Sequence, residues 1–200
     1  MPTRGRSELA QRAVECFLSQ TYVEKELVIL DDADSPSFPG PMPHVIYTGV
    51  QYHRLNHRYT IGAKRNMCCS RANGDILIHW DSDDWSHPER IADQVERLAT
   101  SPIGFTGYHS MLFEDLDTGK KWKYCGDPHY ALGTSFCYTR EFWEAHPFPD
   151  VNKAEDNAIV SRISGFPSVD AGELVIASIH AGNTSQRAVS NSEYYRPVAA

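Results

Sequence analysis

An apolar run that ends in a cluster of acids, DILIHWDSDDWSHPER, constrains this chain more than any other stretch. The run Asp75–Trp80 is short and has no helical period, so it predicts a buried strand of a parallel sheet. Asp81, Asp83 and Asp84 follow within four residues, and Pro88 is typical of the first position of a helix. The stretch therefore predicts a strand, an acidic turn and a helix, in that order.

The acidic turn has two physical interpretations. Three neighbouring carboxylates repel one another unless they hold a cation or stay solvated, and hard oxygen ligands suit Mg²⁺ or Mn²⁺, which in turn bind phosphate oxygens. An acidic, solvated loop is the alternative that the residues leave open. An EF-hand calcium loop is disfavoured, because Ser86 and Ala92 stand where that loop needs glycine and glutamate.

A second predicted strand also ends in acids. The apolar run Leu27–Leu30 continues directly into Asp31 and Asp32. In open parallel sheets ligands bind in the crevice beyond the carboxyl ends of the strands, so two acidic strand ends favour a site there. A short strand at His44–Thr48 and a helix at Thr60–Asn73 continue an alternation of strands and helices that indicates an α/β fold.

Two further pairs of residues are candidate ligand contacts. Lys64 and Arg65 lie near the start of the predicted helix, where two cations could meet a diphosphate. Solvated basic residues on an amphipathic helix are the alternative. Ala131–Tyr138 predicts a strand in which Gly133 and Thr134 let a ligand approach the backbone closely, although a bulge would also explain the glycine.

The last candidates lie in the second half of the chain. Glu155 and Asp156 stand at the start of a predicted helix within the segment Val151–Ile163, where acids commonly serve the helix dipole. His180 follows a predicted strand, Val175–Ile179, and a single histidine in such a place is commonly a packed or surface residue. Both structural alternatives stay open from the residues alone.

Size and composition exclude several classes. A chain of 200 residues is long enough for one domain with a sizeable core. Its net charge of −7 argues against a nucleic-acid binder, and no apolar run approaches the roughly 20 residues that span a bilayer. Five cysteines without a C-x-x-C pair predict reduced thiols in a cytoplasmic protein.

Taken in order, these segments resemble the family 2 glycosyltransferases of the GT-A fold over nearly the whole chain. The strings that carry the resemblance are PTR at the start, ELVILDD, GAKRN, HWDSDDW, GTSFCYTREFWE, AEDN and IHAGNTS. HWDSDDW resembles the metal-binding DxD region of the family, and AEDN looks like its x-Glu-Asp motif. One departure is that an apolar strand normally precedes the PTR section.

The resemblance implies a role for each segment. On the nucleotide side, Asp32 would read the base, and the other contacts would be Pro2, Thr3, Arg4, Lys64 and Arg65. Asp81 and Asp83 would be the two acids of DxD, with Asp83 the first choice as direct ligand of Mn²⁺ or Mg²⁺. Further metal contacts would come from Asp81 and His180.

For the reaction, the resemblance implies that Asp156 is the general base and that Glu155 orients the acceptor or its loop. Gly133 and Thr134 would shape the edge of the site that faces the donor sugar or the acceptor. A carboxylate that takes the acceptor's proton while the diphosphate leaves predicts inversion at the anomeric carbon.

The fold implied by the resemblance is α/β: a GT-A fold with a Rossmann-like mixed sheet flanked by helices, and a first strand that is missing or truncated. We expect one domain, with a nucleotide-sugar-binding half at residues 1–98, an acceptor and catalytic half at 99–185, and a tail of little periodicity at 186–200.

The predicted function is metal-dependent, inverting transfer of a sugar from a nucleotide-diphosphate sugar, with UDP-sugars favoured, to a hydroxyl of a saccharide, lipid or protein. The predicted location is the cytoplasm, and any peripheral attachment to a membrane would come through a partner or an acceptor lipid. A non-catalytic nucleotide-sugar or glycan-binding module is the alternative, favoured by the shortened first strand. A nucleotidylyltransferase is a third hypothesis, which would want a Gly-rich phosphate loop that this sequence lacks.

Overall fold

The computed structural model describes residues 1–38, 47–185, 189 and 193–198. The helices are α1 (Ser7–Leu18), α2 (Ile61–Arg71), α3 (Arg90–Ala99), α4 (Arg140–Ala145) and α5 (Asn157–Val160). The strands are β1 (Pro2–Thr3), β2 (Leu27–Asp31), β3 (Val50–Arg54), β4 (Ile76–Ile78), β5 (Trp85–Ser86), β6 (Phe105–Asp115), β7 (Lys121–Cys125), β8 (Cys137–Thr139), β9 (Ser168–Asp170), β10 (Val175–Ile179) and β11 (Tyr195–Pro197). Gly133–Ser135 forms a 3-10 turn.

The strands form one parallel and one mixed sheet. β1, β2 and β3 pair in that order and in parallel. In the second sheet, β6 pairs antiparallel with β7 and β8 and parallel with β9 and β10. Helix α2 lies against β1 and β2, while α3 lies against β6 and β8. The expected mixed sheet flanked by helices is therefore present.

The first strand is present but is only two residues long. Pro2 pairs with Leu30 of β2, and the amino group of Met1 donates to the carbonyl oxygen of Val28 at 2.7 Å. Beyond this pairing, a cavity of about 560 Å³ lies between β2 and β4. Among the described strands, β4 pairs with β8 alone and antiparallel, so the expectation that this run is a strand of a parallel sheet is wrong. The edge of β4 that faces this cavity has no strand partner in the part of the chain that the structure describes.

Trp80 anchors the end of the β4 segment immediately before the acidic turn. Its side chain is buried, its indole nitrogen donates to the carbonyl oxygen of Ala13 in α1 at 2.9 Å, and its ring meets Phe17 edge to face. The guanidinium of Arg90 lies 4.8 Å from the centre of the ring on the α3 side. Because a packed aromatic ring has few alternative positions, the turn that begins at Asp81 leaves the core from a fixed point.

Two predicted elements in the second half are shorter than expected. The strand predicted at Ala131–Tyr138 is wrong over most of its length, since Gly133–Ser135 is a 3-10 turn and the strand is Cys137–Thr139. A hydrogen bond from the Ser135 amide to the Leu132 carbonyl closes this turn.

The helix predicted within Val151–Ile163 begins where expected, next to Glu155 and Asp156, but it is only four residues long, Asn157–Val160, with Asp156 as its N-cap. Ala154 has a left-handed backbone with φ of 60°, which a continuous helix through that position would not permit.

Two other expectations fall partly outside the described residues. Of the strand predicted at His44–Thr48, residues 44–46 lie outside them, and Tyr47 and Thr48 lie in a bend and turn before β3. Of the predicted tail 186–200, residues 186–188, 190–192 and 199–200 lie outside them. Within the described part of that tail, Tyr195–Pro197 forms β11, which pairs antiparallel with β7. No helix of the described chain has both the length and the apolar composition that crossing a bilayer requires.

Candidate active site

A cavity of about 650 Å³ lies where the segments after β1, β4 and β10 meet. It is lined by residues from each predicted site segment except the acids after β2: Pro2, Thr3, Arg4, Lys64, Arg65, Asp81, Asp83, Gly133, Thr134, Glu155 and Asp156. Asp32 and His180 do not line the cavity, but each contacts a side chain that does. The tertiary structure thus brings the predicted residues together in one place.

Asp32 holds two cations on one wall of the cavity. Arg4 approaches it with two nitrogens, at 2.9 Å and 2.7 Å, and Lys64 donates from its ammonium at 2.8 Å. The amide of Tyr59 adds a third donor at 2.9 Å. Burial alone would raise the pKa of Asp32, but these bonds outweigh it and hold that pKa far below its usual range. The three side chains together carry one positive charge.

Arg65 joins two acids from distant parts of the chain. Its Nε lies 3.2 Å from Glu155, and Nη1 lies 3.2 Å from Asp81. Burial opposes the charge on Arg65, yet the two carboxylates raise its pKa. Burial would also raise the pKa of Asp81, but the guanidinium lowers it to about 2. Burial raises the pKa of Glu155 despite Arg65.

The burial of the two cations decides between the alternatives for the GAKRN segment. Lys64 is 4% exposed and Arg65 is 7% exposed. Solvated basic residues on an amphipathic helix are therefore the wrong interpretation. Burial lowers the pKa of Lys64, and the hydrogen bond to Asp32 partly offsets this lowering.

The acidic turn is also not a solvated loop, because the side chains of Asp83 and Asp84 are both buried. Asp84 accepts the hydroxyl of Thr134 at 2.6 Å and the amide of Ser178 at 3.0 Å. Burial and the nearby charges of Asp83 and Asp81 raise the pKa of Asp84 to about 7. These contacts link the turn to β10 and to the 3-10 turn.

Asp83 and His180 are the pair that could hold a divalent cation. His180 Nε2 lies 3.1 Å from Asp83 Oδ2. Two ligands about 2.1 Å from one octahedral ion stand about 3 Å apart, so these two donors fit a shared Mg²⁺ or Mn²⁺. Among the described residues no group of three or more His, Cys, Asp or Glu side chains forms a metal site. A two-ligand site suits ions that take their remaining ligands from water and phosphate.

Asp156 faces the 3-10 turn across a very small gap. Its Oδ1 accepts the amide of Asn157 at 2.8 Å and so caps α5. A Cβ placed on Gly133 would lie 2.2 Å from Asp156 Oδ2, so only glycine leaves room for this carboxylate. Asp156 thus has the structural role of a helix cap and also faces the cavity.

Three arginines around the site were not singled out from the sequence. Arg6 pairs with the carboxylate of Asp83. Arg12 donates to the backbone oxygen of Asp83 at 2.6 Å. Arg90, which is fully buried, donates to the backbone oxygen of Thr134 at 2.7 Å and so positions the 3-10 turn. Arg6 was the one with a local signal, since an Arg-Gly-Arg string follows the first strand.

Relatives with known names match part of the chain. EpsE of Bacillus subtilis (strain 168) is 33% identical over 94 residues, and the succinoglycan biosynthesis protein ExoO of Rhizobium meliloti (strain 1021) is 30% identical over 86 residues. Each match covers 43% of this chain, but only 32% of EpsE and 25% of ExoO. The matched segment therefore spans a third or less of either relative's length.

Solved structures match over most of the chain. TarS 1-349 of S. aureus in complex with UDP-GlcNAc superposes with a TM-score of 0.69 at 15% identity, covering 92% of this chain and 58% of TarS 1-349. The mannosyltransferase PcManGT of Pyrobaculum calidifontis, in complex with GDP-Man and Mn²⁺, gives 0.64 at 15% identity, covering 96% of this chain and 56% of that one. At these identities the likeness shows the fold, and it confirms the expected GT-A architecture.

The family itself is shown by a sequence profile described as Glycosyl transferase family 2, which matches residues 1–166. That range contains β1, the acids after β2 and β4, the α2 cations and the Glu155-Asp156 pair. The chain belongs to glycosyltransferase family 2.

Proposed function

We propose that this chain transfers a sugar from a nucleotide-diphosphate sugar to a hydroxyl acceptor with inversion. One observation carries the proposal: Asp83, which contacts His180, lines the same cavity as Asp156, and the 3-10 turn lies between them. Thr134 of that turn donates to Asp84, and Gly133 contacts Asp156. A site for the leaving diphosphate and a base for the acceptor thus lie on either side of one short segment.

The donor side has the groups that a nucleotide diphosphate needs. Arg4 and Lys64 line the cavity with one net positive charge after Asp32 is counted. Thr3 also lines the cavity, and its Oγ1 is buried without a hydrogen-bond partner among the described atoms. Because a buried polar atom without a partner is costly, this hydroxyl supports a bound polar ligand.

We infer that Asp32 acts on the nucleotide through Arg4 and Lys64, since its own oxygens already accept their hydrogen bonds. The bound molecules named for the solved structures, UDP-GlcNAc in TarS and GDP-Man in PcManGT, support a nucleotide sugar as the donor here. A UDP-sugar remains our first candidate.

The residues that would hold Mn²⁺ or Mg²⁺ are Asp83 and His180, with Asp81 beside them. Such an ion, when bound, supplies Lewis-acid stabilisation of the leaving diphosphate. Arg65 holds the Asp81 carboxylate in place and keeps it ionised, because the guanidinium lowers its pKa. The Mn²⁺ named with PcManGT supports this choice of ion.

The acceptor side is proposed to work through Asp156. Its Oδ1 caps α5, and Asp156 lines the cavity, from which an acceptor hydroxyl can pass its proton to the carboxylate. Glu155 is held by Arg65 and so orients the segment that carries Asp156. The acceptor is a hydroxyl of a saccharide, a lipid or a protein.

The test combines binding and turnover. UDP and GDP are titrated by calorimetry with and without Mn²⁺, on the wild type and on Asp83→Ala, and sugar transfer is then measured with the sugars of the nucleotide that binds. Asp156→Asn is the variant for the base, and Asp117→Asn in the exposed β6–β7 turn is its matched control. We expect Asp156→Asn to bind the nucleotide normally and to lose transfer by about 10²–10⁴-fold.

Each outcome bears on one part of the proposal. Metal-dependent binding of one nucleotide that disappears in Asp83→Ala supports the donor site. Full transfer by the Asp156→Asn variant excludes Asp156 as the base. A product with retained anomeric configuration excludes the inverting mechanism. Nucleotide-sugar binding by the wild type without any turnover favours the non-catalytic binding module.

A further inference from the structure

Oxygen Oδ2 of Asp83 has more partners than a cation ligand should. It is contacted by the guanidinium of Arg6, by His180 Nε2 at 3.1 Å and by the side-chain nitrogen Nδ2 of Asn183 at 3.3 Å. Arg6 comes from the segment after β1, whereas the other two follow β10. All three contacts converge on the oxygen that stands nearest His180.

Arg6 is held at this position by a second contact. Its Nη2 donates to the carbonyl oxygen of Gly182 at 2.8 Å, so one guanidinium bridges the acidic turn and the segment after β10. The Arg6 side chain is nevertheless 24% exposed, and the preceding Gly5 has a φ of 63°. A partly exposed, long side chain beside a glycine can leave its partners without disturbing the core.

A guanidinium and a divalent cation cannot share one carboxylate oxygen at contact distance. Their like charges repel, and a carboxylate that already donates its electron density to a guanidinium binds a second cation less strongly. A divalent ion between Asp83 and His180 therefore requires Arg6 to move away. A diphosphate would give the displaced guanidinium a new anionic partner, because phosphate oxygens match its paired donors.

We propose that Arg6 is a resident counter-cation that competes with the divalent ion for Asp83. In the nucleotide-free protein it neutralises the carboxylate and opposes metal binding. When a nucleotide diphosphate binds, Arg6 passes to the phosphates and the divalent ion takes its place. This step rests on the proposed function, because it assumes a diphosphate ligand and a divalent ion in the same cavity.

The experiment measures Mn²⁺ affinity without any nucleotide. The paramagnetic resonance signal of free Mn²⁺ is followed during titration of the wild type and of Arg6→Gln, which keeps hydrogen-bonding ability but loses the charge. We expect Arg6→Gln to bind Mn²⁺ at least tenfold more tightly. Arg58→Gln is the matched control, since it removes the same charge from an exposed pair with Asp34 and should leave the affinity unchanged.

Two more variants separate charge from fold and site. Arg6→Lys keeps a positive charge and should bind Mn²⁺ about as weakly as the wild type. Asp83→Asn combined with Arg6→Gln should lose the tighter binding. Adding UDP or GDP should raise the Mn²⁺ affinity of the wild type by a larger factor than that of Arg6→Gln.

The idea is overturned if Arg6→Gln and the wild type bind Mn²⁺ equally, if neither binds it, or if Arg6→Lys behaves like Arg6→Gln. These results do not depend on turnover. If the wild type binds no nucleotide diphosphate, the proposed function fails, while the comparison without nucleotide still decides whether Arg6 competes for Asp83.

Discussion

Replacing Arg65 by methionine should destabilise the fold by leaving Glu155 as an unpaired buried carboxylate. Glu155 is 6% exposed, and its contact with Arg65 at 3.2 Å is the ion pair that compensates its charge. Removing one partner of a buried pair costs about 3–5 kcal/mol. The other partner, Asp81, has a side chain that is 26% exposed, so its loss is screened and adds about 1 kcal/mol at most. Arg65→Met should therefore lower the free energy of unfolding mainly through Glu155.

A double-mutant cycle isolates that pair. Glu155→Gln keeps the shape and an acceptor for Arg65, so alone it should cost about 1–2 kcal/mol. With both changes no buried charge is left unpaired at position 155. The double variant should therefore lose about 2 kcal/mol less stability than the two single variants lose together. Urea denaturation of the wild type and the three variants measures all four free energies of unfolding.

The pH dependence gives a second check on the same reasoning. Burial already raises the pKa of Glu155, and losing Arg65 raises it further. A carboxyl whose pKa is higher in the folded state stabilises the fold at low pH and loses that contribution as the pH rises through the folded value. The cost of Arg65→Met should thus be larger at pH 8 than at pH 5. Additive single costs, or a cost independent of pH, would refute this account.

Two other substitutions test the acidic turn and the 3-10 turn. Burial first, and then Asp83 and Asp81, raise the pKa of Asp84 to about 7, so the stability that its proton provides is lost as the pH rises through 7. The free energy of unfolding of Asp84→Asn, relative to that of the wild type, should therefore rise by about 2–3 kcal/mol from pH 5 to pH 8, as measured by urea denaturation. A difference that stays constant with pH would count against the raised pKa of Asp84. Gly133→Ala places a Cβ 2.7 Å from that of Asp156, so the carboxylate must move. Sugar transfer by Gly133→Ala should fall at least 100-fold, as expected for loss of the proposed base, while calorimetry should find unchanged nucleotide binding. Unaltered transfer would mean that the reaction does not need the Asp156 carboxylate at its position beside Gly133.

Local pattern predicted the elements that carry the site and several of their boundaries. The strand Val175–Ile179 has the predicted bounds, and Thr60 caps α2 by accepting the amide of Ala63 at 3.1 Å. Acids after an apolar run were enough to predict the turn at Asp81. These features depend on neighbours in the chain, so the sequence contains the whole signal.

Local pattern failed where distant contacts override it. The segment around Gly133 has strand-like composition, but Arg90 binds the Thr134 carbonyl and Asp84 binds the Thr134 hydroxyl, so a 3-10 turn forms. Contacts of this kind cannot be read from propensity within the segment.

The amino-acid sequence by itself determined the α/β class, the family resemblance and which residue types could do the chemistry. Only the tertiary structure decided how they pair. Arg65 reaches Glu155 across 90 positions, Arg6 reaches Asp83 across 77, and His180 reaches Asp83 across 97. Crossovers between strands and the packing of α2 and β10 bring these residues into contact. Burial then makes each pairing necessary, because an unpaired charge inside the protein is costly.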